Sequence, residues 1–425
     1  MNRRTLLKML GTGSMLAAPA VAHAAVSAPA ATTLVPVDQG RWAGFNQQQL
    51  DRVLAQAGKS SPGYNPKKRP YAVFDWDNTC IMNDCEEALL IYQIDNLAYK
   101  LTPDEFAEIL RQDVPNGPFM ADYKTDDGKP VRMEDIADDV DSDYRWLHAN
   151  YKGLAGAMSL EDIRQTEQFK DFRAKLYFMY DAICDSHPLE IGYKWIIYFY
   201  KNHSVAELQA MAERSHDYGL GDALRKVKFK SSEKLPGKAG VVTASHFFGL
   251  RIHSEMPALM NALRANGFDV FVSTASLDDV VRVFAGNPKY GYNVPPENVI
   301  GLKLEMADGK YQNRYLSGWH FNWGPGKTTG IQTILAGSRG YGPAVVLGDS
   351  DGDAWMLKDF NDTRLGVVVN RLKTGEIGER SKSAAAEIGQ PNARLILQGR
   401  DENTGVFLPD QKSLKYGKAE RKLLA

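Results

Sequence analysis

Three apolar runs in the chain are each followed at once by a polar cluster. The runs lie within residues 69–74, 269–272 and 344–347. Short continuous apolar runs of this kind predict strands that are buried on both faces of a parallel sheet. We therefore expect the three polar clusters to meet at the carboxyl edge of that sheet.

Helical patterns precede the second and the third of these runs. Residues 255–266 form the first pattern and end at Gly267, a residue suited to a helix C-terminus. Residues 327–336 form the second pattern. This alternation predicts an α/β fold with a doubly wound, mostly parallel sheet, and such sheets bind ligands at the carboxyl ends of their strands.

The segment between the first two predicted strands is far longer than a single crossover between parallel strands requires. We therefore predict a large, mainly helical inserted cap domain at residues 90–240, with its clearest helices at 160–180 and 193–211. Residues 25–89 and 241–425 are expected to form the core domain.

The first 24 residues have the pattern of a bacterial export signal. Arg3 and Arg4 give a positively charged start, and a short apolar stretch leads to the cleavage pattern Ala22-His23-Ala24. The paired arginines resemble the twin-arginine signal, and a general secretory signal is the alternative. Both alternatives predict removal of residues 1–24 and a periplasmic or secreted protein.

The composition narrows the class of protein further. A charged fraction of 24% and a formal net charge of -1 are typical of a globular protein and imply no strong electrostatic partner. No basic stripe indicates nucleic-acid binding, and no apolar run after the export signal predicts a membrane span. Cys80 and Cys85 could form a disulfide or remain thiols. The sequence leaves the oligomeric state open.

The first polar cluster places two carboxylates, Asp75 and Asp77, one residue apart at the end of a predicted strand. Where a chain leaves the extended conformation, both carboxylates can face one polar pocket. Asp75 could then attack a phosphorus atom, and Asp77 could give or take a proton. We expect the next residue, Asn78, to contact the substrate.

The cluster after the third predicted strand is rich in aspartate and offers the hard oxygen ligands that Mg²⁺ prefers. We predict that Asp349 binds the ion directly and that Asp353 acts behind it, or through a water molecule. Asp75 and the backbone carbonyl of Asp77 are expected to complete the protein ligands.

Three further polar residues complete the predicted site. Ser273 and Thr274 follow the second strand and could offer hydroxyl and N–H groups to a phosphoryl oxygen, although such residues also cap helices. Lys327 stands at a predicted helix start, where its charge could neutralise the phosphate and the nucleophile together.

In order and type, these residues resemble the four motifs of the haloacid dehalogenase superfamily. The matching positions are Asp75-x-Asp77, Ser273, Lys327 and Gly348-Asp349-x₃-Asp353. An acid at the position of Asp77 is similar to the phosphatases of that superfamily rather than to its P-type ATPases or its dehalogenases. The resemblance implies Mg²⁺-dependent hydrolysis of a phosphate ester through an aspartyl phosphate on Asp75. It also implies that Asp77 protonates the leaving group and then activates water.

The predicted cap is expected to choose the leaving group. Residues 140–200 are richer in aromatic side chains than the chain average of 10%. Most of these side chains are expected in the cap core, while a few could form a cage for a quaternary ammonium group. Glu86 and Glu87 could face such a cation, or they could simply be the negatively charged first turn of a helix.

Residues 74–79, 86–90 and 280–301 resemble the bacterial periplasmic phosphorylcholine phosphatases. This resemblance implies a small-molecule phosphate ester with a quaternary ammonium group, either phosphorylcholine or a similar head-group phosphate. Two alternatives stay open at this point. One is a broad-specificity exported phosphatase that scavenges phosphate, and the other is a choline-binding protein without turnover.

Overall fold

The three predicted strands pair side by side in the structure, a computed structural model that describes residues 33–425. Strand Tyr71–Phe74 pairs in parallel with Asp269–Leu277 on one side and with Val345–Gly348 on the other. The predicted α/β fold with a mostly parallel sheet is therefore confirmed. The predicted export signal at residues 1–24 lies outside the described residues.

The elements of residues 33–425 are numbered in chain order. The strands are β1 (Tyr71–Phe74), β2 (Ile81–Met82), β3 (Arg225–Lys230), β4 (Thr243–Phe248), β5 (Arg251–Ile252), β6 (Asp269–Leu277), β7 (Val299–Leu302), β8 (Leu304–Ala307), β9 (Lys310–Tyr315), β10 (Val345–Gly348), β11 (Leu365–Asn370), β12 (Leu395–Asp401), β13 (Val406–Phe407), β14 (Ser413–Leu414) and β15 (Arg421–Lys422). The helices are α1 (Gly44–Ala57), α2 (Cys85–Asn96), α3 (Pro103–Arg111), α4 (Met133–Asn150), α5 (Leu160–Arg164), α6 (Glu167–Ser186), α7 (Leu189–Tyr198), α8 (Val205–Gly221), α9 (Glu255–Ala265), α10 (Asp278–Gly286), α11 (Pro325–Gly330), α12 (Gly337–Arg339) and α13 (Gly375–Ala386). A π-helical segment, Ile331–Ala336, joins α11 to α12.

The central sheet has the strand order β12-β11-β10-β1-β6-β7, and every neighbouring pair in this row is parallel. From β1 the chain goes first to β6 on one side and later to β10 on the other. Ligands of open α/β sheets bind at such a reversal of strand order. The topology therefore directs attention to the carboxyl ends of β1 and β10.

Both faces of β1 are covered, which explains its continuous apolar sequence. Ala72 and Phe74 pack into the larger of two apolar clusters, whereas Tyr71 and Val73 pack into the smaller one. All four side chains are fully buried. Alternate residues of a strand point to opposite faces, so a sheet covered on both sides needs apolar residues at each position.

Between β1 and β6 the chain forms helices α2 to α9 together with short strands, including the antiparallel hairpin of β3 and β4. Leu34–Ala425 packs as one compact unit, so the boundaries of a separate cap domain at 90–240 stay a prediction. Within the described part of the chain, no helix has the length and apolar character needed to cross a membrane.

Two of the long helices predicted from periodicity are each divided in the structure. The pattern at 160–180 is split between α5 and α6, because the Thr166 side chain accepts the N–H of Phe169 and starts a new helix. The pattern at 193–211 is split between α7 and α8. There Ser204 and Glu207 form a capping box, which satisfies the first free N–H groups of α8.

Candidate active site

Asp75 and Lys327 form the centre of the site at the carboxyl end of β1. The Nζ atom of Lys327 lies 2.5 Å from Oδ1 of Asp75 and 2.7 Å from Oδ1 of Asp353. The tight turn before Lys327 requires Gly326, because a Cβ atom there would lie 1.7 Å from the carbonyl oxygen of Phe321. The structure therefore joins three residues that the sequence predicted from separate motifs.

Asp349 follows β10 and joins Asp75 and Asp353 in a buried acidic cluster. One carboxylate oxygen from each of the three residues lies within 4.8 Å of the others. Oδ2 of Asp353 accepts the backbone N–H groups of Asp349 and Ser350 at 2.9 and 3.0 Å. Gly348 permits this close approach, since a Cβ atom on it would lie 2.3 Å from Cβ of Asp353.

Two residues that the sequence did not single out, Thr79 and Arg371, contact these carboxylates. The Thr79 hydroxyl lies 2.7 Å from Oδ2 of Asp75 and 2.9 Å from Oδ1 of Asp349, and it is fully buried. Arg371 follows β11 and donates from Nη1 to Oδ2 of Asp349 at 2.6 Å. Thr79 is the last residue of the first polar cluster, and Arg371 follows the apolar run of β11. Both are therefore polar residues after an apolar run, the same pattern that identified the predicted site residues.

The acidic cluster has unusual electrostatics because it is buried. Burial, followed by repulsion from Asp353, raises the pKa of Asp75 well above its usual range, and Lys327 only partly opposes this. For Asp349, burial alone would raise the pKa, but the charge of Arg371 lowers it to about 2. A divalent cation among these oxygens would offset the mutual repulsion of the carboxylates.

The donor set fits Mg²⁺, which prefers hard oxygen ligands in octahedral geometry. The three aspartates supply only oxygen, and Asp349 holds its charged form strongly. In residues 33–425, the backbone carbonyl of Asp77 accepts no hydrogen bond, so it is free to serve as the predicted fourth ligand. Both oxygens of Asp353 have protein partners, which suits the predicted role behind Asp349.

Asp77 is held at the start of α2. Its Oδ1 accepts the N–H of Cys85 at 2.8 Å, and its Oδ2 accepts the Ser276 hydroxyl at 2.7 Å. Burial raises the pKa of Asp77, although these hydrogen bonds oppose the effect. A raised pKa favours the protonated form that a general acid needs. Cys80, Cys85 and Cys184 are free thiols.

Ser273 and Thr274 lie within β6, close to Asn322 and Asp77. The Ser273 side chain is fully buried and contacts Asn322, which donates to Ser273 Oγ at 3.1 Å and to the Thr274 carbonyl at 2.7 Å. The Thr274 hydroxyl lies 3.4 Å from Oδ2 of Asp77. The cavity wall here is formed by Ala275 and Ser276. Direct contact of Ser273 and Thr274 with a phosphoryl oxygen stays a prediction.

Asn78 adopts a left-handed backbone conformation with φ of 62° directly after Asp77. Arg400, at the end of β12, donates to the Asn78 carbonyl at 2.9 Å and to its Oδ1 at 3.2 Å. These bonds hold the turn that follows the carboxylates of Asp75 and Asp77. Asn78 lines the cavity, so its predicted contact with the substrate is sterically open.

A cavity of about 230 Å³ opens above these groups. Tyr180 and Tyr193 line it together with Glu86. Glu86 accepts the Tyr200 hydroxyl and the N–H of Leu277, and burial raises the pKa of its carboxyl to about 7.

Glu87 lies beside Tyr180, and its Oε1 accepts the Tyr180 hydroxyl at 3.2 Å. Burial raises the pKa of Glu87 as well. Both glutamates stand in the first turn of α2, where Asp84 caps the helix by accepting the N–H groups of Glu86 and Glu87. The two glutamates therefore do form a negatively charged first helical turn. In addition, Glu86 lines the cavity of about 230 Å³, and Glu87 lines a neighbouring, larger cavity.

Three known proteins give the context for this geometry, while no family model matches the chain. The sequence is 25% identical over 384 residues to a phosphorylcholine phosphatase from Pseudomonas aeruginosa, covering 82% of this chain and 83% of the relative. The crystal structure of a conserved protein of unknown function from Anaerococcus prevotii matches with a TM-score of 0.85 and 31% identity, covering 90% of this chain and 99% of that one.

A protein of unknown function from Bordetella pertussis matches at 15% identity over 77% of this chain and 97% of that one, but its TM-score of 0.37 supports no conclusion. The similarity to a curated phosphatase agrees with the joining of Asp75, Asp77, Lys327 and Asp349 at one sheet edge. The chain is therefore similar over most of its length to a curated phosphorylcholine phosphatase and to a solved structure of unknown function.

Proposed function

We propose that this chain is a phosphatase of the haloacid dehalogenase type that depends on Mg²⁺ and forms an aspartyl phosphate on Asp75. We propose that its substrate is phosphorylcholine or a similar head-group phosphate. The observation that carries the proposal is the contact of Lys327 with both Asp75 and Asp353 at 2.5 and 2.7 Å. This contact holds a cation where a phosphate dianion and a carboxylate nucleophile must approach each other. The lysine lowers the repulsion between them.

The reaction follows from the positions of the side chains. Asp75 Oδ attacks phosphorus, and a protonated Asp77 gives its proton to the leaving alkoxide oxygen. Asp77, now ionised, takes a proton from water, which attacks the phosphorus of the aspartyl phosphate. The bond between phosphorus and Asp75 Oδ then breaks, which releases inorganic phosphate and restores the Asp75 carboxylate. Lys327 stays beside the transferred group in both steps. When bound at the acidic cluster, Mg²⁺ supplies positive charge that stabilises the developing charge on the phosphoryl oxygens.

We infer the leaving group from the wall of the small cavity, where a carboxyl group could pair with a positively charged ammonium group. Glu86 and the aromatic rings of Tyr180 and Tyr193 line the small cavity above Asp75. Aromatic rings attract quaternary ammonium groups by about 0.5 to 2 kcal/mol per contact. The similarity to a phosphorylcholine phosphatase supports the same substrate.

Phosphate release from phosphorylcholine, glycerol phosphate and p-nitrophenyl phosphate tests the proposal, with Mg²⁺ and with a chelator. We expect kcat/KM for phosphorylcholine to exceed that for glycerol phosphate by about tenfold, or ~1.4 kcal/mol. The chelator and the substitution Asp75→Asn should each abolish turnover. Equal rates on all three esters would refute the choline assignment, and full activity with the chelator would refute the metal.

We also propose that the protein is exported to the periplasm or secreted. The support is the sequence pattern of residues 1–24, with Arg3 and Arg4 before an apolar stretch and Ala22-His23-Ala24 at its end. N-terminal sequencing of the protein from a periplasmic fraction should give a chain that starts at Ala25. A full-length chain confined to the cytoplasm would refute the proposal.

A further inference from the structure

A second and larger cavity, of about 1040 Å³, adjoins the catalytic one. The residues that line both cavities are Asn78, Asp84, Tyr193, Arg371 and Lys373. The catalytic cavity of about 230 Å³ already offers room for a small phosphate ester. The larger cavity therefore provides space for a group beyond the one that the proposed reaction needs.

Four basic residues in the wall of this larger cavity come from neighbouring strands of the sheet. Arg371 and Lys373 follow β11, Arg400 lies in β12, and Lys415 directly follows β14. Because β11, β12 and β14 are adjacent and parallel, their carboxyl ends bring these residues together at one edge. Neighbouring strands are about 4.8 Å apart, so the cluster begins one strand away from Asp349 on β10.

Asp84, Glu87 and Glu402 also line the larger cavity, but within residues 33–425 ion pairs of 4.0 Å or less join only three of the four basic residues to a carboxylate. Arg371 pairs with Asp349 at 2.6 Å, while Arg400 and Lys415 share Glu402 at 3.3 and 3.5 Å. Within residues 33–425, no carboxylate oxygen lies within 4.0 Å of the Lys373 ammonium group. Lys373 is exposed and lines the cavity wall.

Arg400 adds a positive charge that is buried in the wall of the larger cavity. Only 1% of its surface is exposed, and its Nε has no hydrogen-bond partner among the described residues. Burial, and then the charge of Arg371, lower the pKa of Arg400 to about 10. Crowding of like charges in a buried wall is unfavourable unless an anion is present to offset it.

We propose that Arg371, Lys373, Arg400 and Lys415 form a basic subsite that binds a second anionic group, a phosphate or a carboxylate, beside the phosphoryl site. This group is either a distal part of the substrate or a free anion such as inorganic phosphate. Binding at the subsite depends on the four cations and not on the choline assignment. The subsite is separate from Lys327, which holds the transferred phosphoryl group.

Calorimetric titration of inorganic pyrophosphate in the presence of a chelator tests the subsite directly. Without a divalent ion, the acidic cluster repels anions, so binding reports the basic residues. We expect the double substitution Lys373→Gln and Lys415→Gln to weaken binding by about tenfold or more. Lys412→Gln, at an exposed position near the same edge, should leave the affinity within about twofold of the wild type, and Lys327→Gln should weaken binding less than the double substitution does.

Three results would overturn the subsite: no pyrophosphate binding to the wild type at millimolar concentration, unchanged binding in the double variant, or equal loss in Lys327→Gln. None of them depends on phosphatase activity, so this experiment and the test of the proposed function can fail separately.

The kcat/KM values for 3-phosphoglycerate and glycerol phosphate distinguish an anionic group on the substrate from a free anion, because only the first ester carries a second anionic group. If Lys373→Gln lowers the ratio of their kcat/KM values by about tenfold, the anion belongs to the substrate. If that ratio does not change while pyrophosphate binding is lost, the subsite takes a free anion.

Discussion

The Nζ atom of Lys327 lies 2.5 Å from Oδ1 of Asp75, although the two residues are 252 positions apart in the sequence. Both are almost fully buried. The carboxylates of Asp75 and Asp353 raise the pKa of Lys327 despite its burial, so the lysine remains charged across the physiological range.

Replacing Lys327 by Gln should therefore remove the one positive charge that Asp75 and Asp353 share. We expect kcat/KM to fall about 10³-fold, or ~4 kcal/mol, because a charge aimed at the reacting group is lost in a buried site. Steady-state phosphate release measures this. Lys358→Gln, at an exposed position, is the matched control and should retain wild-type activity. A loss below about tenfold would contradict the role of Lys327.

The sequence predicted those parts of the fold that have one dominant local signal. The sequence predicts β1, β6 and β10 because each of these strands contains a short apolar run that polar residues follow. Since their carboxyl ends must meet in a parallel sheet, the convergence of Asp75 and Asp349 can also be predicted, whereas the place of Lys327 follows only from the resemblance. Local periodicity did not reveal the helix breaks at Thr166 and Ser204, where a side chain satisfies free N–H groups.

The residues that the sequence missed depend on tertiary contacts. Arg371 and Arg400 matter because β11 and β12 lie beside β10, and this adjacency is a property of the strand order. Thr79 matters because Asp349 approaches it from another strand. The hydrogen bond from Asn322 to the Ser273 hydroxyl oxygen is likewise a tertiary contact, between residues 49 positions apart in the sequence.

Thr79 lies between the carboxylates of Asp75 and Asp349 and should tune the metal site. Thr79→Val preserves shape but removes the hydroxyl, so the orientation of both ligands is lost. We expect the Mg²⁺ concentration for half-maximal activity to rise about tenfold, as for other residues that orient metal ligands. Thr79→Ser keeps the hydroxyl and should stay close to the wild type. Equal Mg²⁺ requirements for the two variants would contradict this role.

A buried ion pair stabilises the inserted segment. The ammonium of Lys175 is fully buried and lies 2.7 Å from Asp171 and 2.9 Å from Asp139. Lys175→Met leaves two buried carboxylates without their cation, so we expect the free energy of unfolding to fall by about 3 to 5 kcal/mol. Lys194→Met removes a partly exposed pair with Glu190 and should cost less than about 1 kcal/mol. Urea denaturation distinguishes the two; similar losses would contradict the assignment.

The raised pKa of Glu86 should make the free energy of unfolding depend on pH. Its pKa is raised by burial from 4.5 to about 7, so between these values the unfolded chain releases the proton and the folded chain keeps it. The wild type should therefore lose stability relative to Glu86→Gln as the pH rises from about 4.5 to about 7, by ~3 kcal/mol in total. Urea unfolding of both proteins at pH values on either side of this window measures the difference. A constant difference would contradict the raised pKa.

Glu87 offers the sharpest test of the leaving group, because its carboxylate accepts the hydroxyl of Tyr180 at 3.2 Å and can be neutralised with little change of shape. If an ammonium group binds beside Tyr180, which lines the small cavity, Glu87→Gln removes an attractive charge behind that tyrosine and leaves the phosphoryl site intact. We expect kcat/KM for phosphorylcholine to fall about tenfold and that for glycerol phosphate to change by less than about twofold. Glu379→Gln, at an exposed position, controls for the loss of one negative charge. An equal fall for both esters would limit Glu87 to holding Tyr180 in place, and unchanged kinetics for both would place the ammonium group elsewhere in the cavity.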